Sequence, residues 1–524
     1  MPSFREAQFR HANYYLFVLW AANELYQKGG EALKHGLYLF DLEWSNILMG
    51  QTRALESAGE DGTAARLCND FLSAGTYVLT LRMHPRERIR WLEAGVTAAR
   101  YLKHRKNESG HLGNLGLAYI EVGEIRRAIE LYEQAMLLTR EIGDRRNEGA
   151  WLGNLGNAYA TLGDARRAIE YYQQCLALYR EIGNHRGECG AMTDIGVAYK
   201  NLGDVHHAIE LHEHALVIAR KIGDLRAESD VLGNLGVAYS DISENRRAIQ
   251  FHEQQLKITR EISDQRGEGR TLGNLGTEYY TIGEISKAIE LYELALVIFR
   301  KIDDLYGQGS MLGNLGLAYA DLGEIPRAIE FYEHSLTIAN NIGDRRGKGR
   351  GLSNLGNAYL LLGETRKALE FYEKALFVDR DIGSRHGEAN SLMNIGIAHY
   401  GLNEPHRAIG FYEQAQTIFH EIGDRRGESK VLSNLGDVYM ALGKTDKAIK
   451  FYNQHLIIAR EIRDRRGEGH ALWNMGLAMD KLGNHMLAMA YTETALRVFE
   501  QINAPNVGEM RKFVNQLRKL MVKK

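Results

Sequence analysis

Apolar residues recur along most of this chain with the period of a helix. In "GNLGNAYATLG" (Gly153–Gly163), Leu152, Leu155, Ala158 and Tyr159 follow the i, i+3, i+6, i+7 spacing of a buried stripe. The same stretch places glycines inside the helix, although each costs about 1 kcal/mol against alanine. Ala168, Ile169, Tyr172, Cys175 and Leu176 then mark one face of a second helix. Asp144 reads as the N-cap of the first helix, predicted from about Arg145 to Leu162, and Gly163 as its left-handed stop. The second helix starts near Asp164 and ends near "EIGN". Pro326 and Pro405 fall in the first turn of second helices, where a missing N–H costs little.

This helix pair repeats. Blocks of 40 residues from His111 give ten units without insertion or deletion, ending at Met510. The column from Gly116 to Gly476 is invariant glycine, and that from Ala128 to Ala488 invariant alanine. The column of Asn114 is asparagine in nine units and Asp194 in the tenth. The register extends upstream: Pro85 sits in the column of Pro405, so residues 71–110 read as a degenerate unit. Residues 1–70 leave the register and read as an all-helical N-terminal cap whose first helix is "RHANYYLFVLWAANELY".

Composition narrows the class. With 44% apolar and 25% charged residues, the chain has ordinary soluble composition. A net charge of −2 gives no global pull toward nucleic acid or an anionic membrane. Cys68, Cys175 and Cys189 form no C-x-x-C pair, and the apolar run Tyr14–Ala22 is too short to span a bilayer. These features predict a cytoplasmic, unanchored protein.

The spacing Leu112, Leu115, Gly116, Tyr119, Ala128, Tyr132, Ala135 resembles the tetratricopeptide repeat (TPR). The resemblance covers residues 71–510, with two departures. Leucine usually replaces tryptophan at the first large position, and the units exceed the common length of about 34. Forty-residue units with "GNLG" and "IGDRRGE" are similar to those of the G-protein-signalling-modulator spindle adaptors. The N-terminal segment is similar to the one preceding the repeats of bacterial NB-ARC-type signalling ATPases, without their phosphate loop. The resemblance implies an all-α right-handed superhelix, an α-solenoid of helix-turn-helix repeats. Its parts are a cap (1–70), the degenerate unit (71–110), ten units (111–510) and a basic capping helix (511–524).

In that family the first helix of each pair lines a concave groove. Carried over by column, the groove positions begin at Gly110, Gly113, Asn114, Leu117, Ile120 and Glu121. Gly116 belongs to the buried stripe, where glycine lets helices approach. Gly113 and its equivalents are expected to keep the helix surface open to a ligand. Asn114, Asn154, Asn234, Asn274, Asn314, Asn354, Asn394, Asn434 and Asn474 offer amides that suit the N–H and C=O of an extended peptide. The other reading is that they bridge adjacent units through carbonyls. Arg270, Arg350 and Lys430 make the groove basic toward its C-terminal half, with Tyr280, Tyr400 and Trp473 nearby. The expected guest is an extended or amphipathic segment carrying acidic and apolar residues.

Arg146, Arg186, Arg226, Arg266, Arg346, Arg426 and Arg466 form another column, either paired with the aspartate two positions earlier or lining the groove edge. His206, His207, His212 and His214 cluster on one helix, but His212 occupies the core column of Tyr132, which argues against a metal site. Carboxylates recur at the same places in several units and nucleophile signatures are lacking, so no catalysis, metal or cofactor is expected. The tail "RKFVNQLRKLMVKK" sets Phe513, Leu517, Leu520 and Met521 on one face, as a helix covering the end of the array would. The function these features predict is a non-enzymatic scaffold for a protein or peptide partner. A sensor subunit of a bacterial signalling or defence system, recognising a protein or small-molecule trigger, is the alternative. No nucleic-acid or membrane partner is expected, and self-association would use the array ends.

Overall fold

The computed structural model describes residues 4–56, 58–502, 504 and 507–522, which fall into two compact units divided between Ser263 and Asp264. Among the described residues the regular structure is entirely helical. The first unit opens with α1 (Phe4–Lys28), α2 (Gly30–Glu56), α3 (Gly62–Ala74), α4 (Thr76–Arg82) and α5 (Pro85–Tyr101). Helix pairs follow: α6 (Arg105–Glu121) with α7 (Ile125–Ile142), and α8 (Arg145–Thr161) with α9 (Ala165–Glu181). Next come α10 (His185–Asn201) with α11 (Val205–Ile222), and α12 (Leu225–Asp241) with α13 (Asn245–Glu261).

The second unit continues the pattern. It holds α14 (Gln265–Thr281) with α15 (Ile285–Lys301), α16 (Leu305–Asp321) with α17 (Ile325–Ile342), and α18 (Arg345–Leu361) with α19 (Thr365–Asp381). It ends with α20 (Arg385–Gly401) and α21 (Pro405–Glu421), α22 (Arg425–Ala441) and α23 (Thr445–Glu461), α24 (Arg465–Lys481) and α25 (His485–Gln501), then α26 (Val507–Val522). The predicted punctuation is found. Asp144 Oδ1 accepts from the Asn147 N–H at 3.2 Å, Gly163 stops α8 at φ +83°, and Pro326 and Pro405 lie in first turns.

The invariant glycine is a socket for an aromatic ring. A β-carbon added at Gly156 would lie 2.3 Å from Tyr172 Cε1, and one at Gly356 would lie 2.4 Å from Tyr372 Cε1. Both rings come from the partner helix of the same pair and are buried. The helix gives up intrinsic propensity at this position, and ring burial on the order of 2 kcal/mol or more offsets it. His212 and His252 fill the sockets at Gly196 and Gly236, and Thr492 fills the one at Gly476.

Joints between consecutive pairs carry charge. Arg140 Nε, at the end of α7, donates to Glu148 Oε1 at 2.7 Å, and Arg145 Nη1 donates to Glu148 Oε2 at 2.8 Å. Burial raises the Glu148 carboxyl, but the two guanidiniums outweigh it and hold the group below the usual carboxylate range. The arrangement recurs around Glu108, Glu388 and Glu468. Gln308 and Lys348 occupy the same column in α16 and α18, and Gln308 turns to the carbonyl of Phe299 instead.

Within the first unit α10 touches both α8 and α12, and within the second the first helices from α14 to α24 touch in sequence. The second helices of successive pairs have no comparable contact. The first helices therefore line the inner side of each stack. At the C-terminal end α26 buries Val514 and Leu517 and sets Phe513 against Trp473, as a covering helix does. The side chains of Leu520 and Met521, also expected on that face, lie outside the described residues.

Candidate binding face

Part of the asparagine column lies along the inner side of each stack, each residue half-buried. Among the described residues only Asn474 has a hydrogen-bond partner, Asp437 Oδ1 at 3.3 Å. Asn114, Asn154, Asn234, Asn274, Asn314, Asn354, Asn394 and Asn434 make no such bond, so carbonyl bridging between units is not what holds them. A half-buried amide with both functions open to solvent can donate and accept at once, as a peptide backbone requires. Asp194 interrupts the row, and burial pushes its carboxyl up to about 6.

The glycines at and around Gly113 need correction. A β-carbon on Gly113 would lie 2.2 Å from the Trp151 ring, one on Gly233 2.6 Å from Gln255 Nε2, and one on Gly273 2.9 Å from Met311 Cε. In these units the space is filled by the protein. At Gly153 and Gly313 the nearest atoms are Cys175 Sγ at 3.8 Å and Ser335 Oγ at 3.7 Å, so there the expected opening exists.

Arg270, Arg350 and Lys430 are exposed and, among the described residues, without an ion pair. The aromatic residues are more committed. Tyr280 donates its hydroxyl to the Asp321 carboxylate, a contact between successive first helices. Trp473 meets Phe513 of α26 edge-on, with ring centres 5.4 Å apart. Tyr400 remains exposed. Two members of the arginine column of Arg146 differ from its nearer reading. Arg186 Nε pairs with Asp224 and Arg266 Nε with Asp304, each at 3.0 Å, reaching the next unit's N-cap instead of the preceding one.

Three of the candidate residues meet at one place. A hollow of about 140 Å³ between α16, α17 and α18 is lined by Asn314, Arg350 and Asn354 together with Leu305, Tyr306 and Ile338. Spacing arguments missed the reason for it, which is Gly351, in the column that carries Trp151 and Met311 elsewhere. A wider hollow of about 830 Å³ lies on the other side, between α17, α18 and α19, beside the exposed Phe377.

His212 is 1% exposed in its socket, and burial, with Lys200 adding, pushes its imidazole down to about 4. His207 Nδ1 contacts Asp204 Oδ2 at 2.9 Å. Among the described residues no group of three His, Cys, Asp or Glu side chains is placed to hold a metal. All three cysteines are buried, and burial pushes the Cys68 thiol up to about 12, far from a reactive thiolate. No helix among the described residues is long and apolar enough to cross a membrane.

Comparison with known proteins agrees with this geometry. The tetratricopeptide repeat model matches residues 108–181, 188–261, 307–381 and 428–501, together more than half of the chain. A model of the soluble NSF attachment protein matches residues 352–458. None of the curated proteins matches the sequence. Among solved structures, the chain is similar to a signal transduction ATPase with a tetratricopeptide repeat sensor from Pyrococcus horikoshii. The identity is 14% and the TM-score 0.50, over 70% of this chain and 55% of that one. The apo quorum sensor NprR from B. thuringiensis matches at 16% identity and a TM-score of 0.48, over 69% of this chain and 99% of that one. Kinesin light chain TPR-like repeats from Podosopora anserina match at 22% identity and a TM-score of 0.32, over 36% of this chain and 94% of theirs. Repeated helix pairs with a glycine socket, stacked without strands, are the architecture of protein-interaction scaffolds, and this chain belongs to the tetratricopeptide repeat family.

Proposed function

We propose that this protein is a non-enzymatic scaffold that holds an extended peptide segment, acidic and apolar in character, along the inner side of its second unit, formed by the first helices α14 to α24. The observation that carries the reading is the half-buried amides of Asn274, Asn314, Asn354, Asn394 and Asn434 in the second unit, which have no hydrogen-bond partner among the described residues. Solvent satisfies these amides in the free protein, and a guest backbone takes the place of that water. Arg270, Arg350 and Lys430 add cations free to meet acidic side chains.

The test uses fluorescein-labelled nonapeptides of mixed acidic and apolar residues and reads fluorescence anisotropy. Each backbone hydrogen bond contributes about 0.5–1.5 kcal/mol. The variant Asn314→Ala/Asn354→Ala/Asn394→Ala/Asn434→Ala therefore loses at least about tenfold in affinity, with its melting profile unchanged. Full affinity in that variant contradicts the reading.

A sensor role is supported by a different observation. Phe17 and Trp20 of α1 are 62% and 47% exposed beside a hollow they share with Asp70 and Ser73 of α3. An apolar surface of that kind suits docking of a separate signalling chain. Phe17→Glu/Trp20→Glu then changes which proteins the immobilised chain retains, with peptide affinity intact. An unchanged set leaves the scaffold reading alone.

A further inference from the structure

The hollow between α16, α17 and α18 lies where one position of a repeat column has no side chain. Trp151 and Met311 belong to that column, and each fills the gap left by a glycine 38 positions earlier, Gly113 or Gly273. The residue that should fill the gap at Gly313 is Gly351, which has no side chain to offer. The start of α16 departs from the repeat as well. It begins Leu305-Tyr306 where α18, α22 and α24 begin with two arginines, and these residues are 44% and 60% exposed. Gln308 and Lys348 replace the joint glutamates on the two helices that flank the hollow. Leucine and tyrosine thus stand where other units carry two arginines, beside an unfilled space of about 140 Å³.

We propose that this hollow is the specificity pocket of the binding face. It takes one apolar side chain, aliphatic or aromatic, from a peptide whose adjacent residue is acidic and pairs with Arg350. The proposal rests on the peptide-binding reading above and deepens it. Leu305, Leu317, Ile338 and Ile342 line one part of the pocket and Ser310, Ser335 and Asp344 another, so an aliphatic or aromatic side chain packs on the apolar part. Asn314 and Asn354, one on each first helix of the pocket, offer amides to the backbone on either side of the buried residue. Arg350 has no ion pair among the described residues, so an adjacent Asp or Glu meets a cation that needs no rearrangement.

Nonapeptides with a central Xaa-Asp pair, Xaa being Ala, Leu, Phe or Trp, test this by anisotropy. The wild type should prefer Leu or Phe to Ala by about tenfold, as burial of a few methylene groups implies. Gly351→Met refills the column as Met311 does and should erase that preference while the Ala-Asp peptide still binds. A β-carbon at Gly351 meets only Leu336, at 3.5 Å, so the substitution enters without a clash, and Gly351→Val repeats the test with a residue the column carries at Val431. Arg350→Gln should weaken Leu-Asp but not Leu-Asn peptides, by about tenfold. A preference that survives in both Gly351 variants overturns the pocket and leaves the binding face standing. Failure of every peptide to bind the wild type overturns both.

Discussion

Gly113 and Gly313 occupy the same position of the repeat, yet one is sealed and the other is open. At Gly113 the Trp151 ring lies against the helix, stacked on Tyr132 and donating its indole N–H to Ser109 Oγ at 3.1 Å. At Gly313 the corresponding neighbour is Gly351, and a hollow remains. Identical local sequence, "GNLG" in both cases, therefore has two outcomes, decided by a residue one unit away. The repeat supplies a frame in which such a gap is filled at Gly113 and Gly273, and a hollow remains where the filling residue is missing.

The largest expected effect comes from breaking the sealed site. Trp151→Ala should cost about 3–5 kcal/mol locally, because it leaves a cavity and removes the indole bond to Ser109, whose hydroxyl keeps its bond to the Ala135 carbonyl. Gly351→Ala, the matched change at the open site, should gain up to about 1 kcal/mol from helix propensity. Hydrogen exchange of α8 and α18 reads the two effects separately, and equal losses would mean that the two sites are packed alike.

A smaller effect sharpens the contrast within the socket column. His212 stands where most units carry tyrosine, and its folded-state value of about 4 lies below the unfolded 6.5. A depressed imidazole contributes stability above pH 6.5 that is lost as pH falls toward 4, by as much as about 3 kcal/mol. His111 and His455, also buried and pushed down to about 4, lose stability over the same window. His212→Tyr should therefore make α10 and α11 more resistant to exchange at pH 4.5 than in the wild type, with little difference at pH 7. An unchanged acid response would show that the ring is solvated.

Much of this was legible in the sequence, because the repeat itself supplies the comparison. The 40-residue register, the caps at Asp144 and Gly163, the packing role of Gly116 and the core position of His212 follow from periodicity alone. Two details were not, and they share one cause. Gly113 was expected to leave open space, and Arg146-type residues either to pair with the preceding aspartate or to line the groove edge. Where the neighbour comes from the next unit it lies 38 positions downstream, as in Gly113 with Trp151, Gly273 with Met311 and Arg186 with Asp224. Helical spacing describes contacts along one helix, whereas these arise from the stacking of one pair on the next. Trp473 was similarly hard to place, since its neighbour Phe513 lies on a helix outside the repeat register.

The central claim is that a peptide lies along the inner, asparagine-bearing side of the first helices. A photo-crosslinking residue at Leu317, on that side of α16, and another at Phe377, on the opposite surface of α19, locate the guest directly. Both side chains are exposed, at 42% and 72%, so neither substitution disturbs the core. With acidic–apolar nonapeptides bound, the account predicts crosslinking at Leu317 and none above background at Phe377. Crosslinking at Phe377 alone, or equally at both positions, would contradict it.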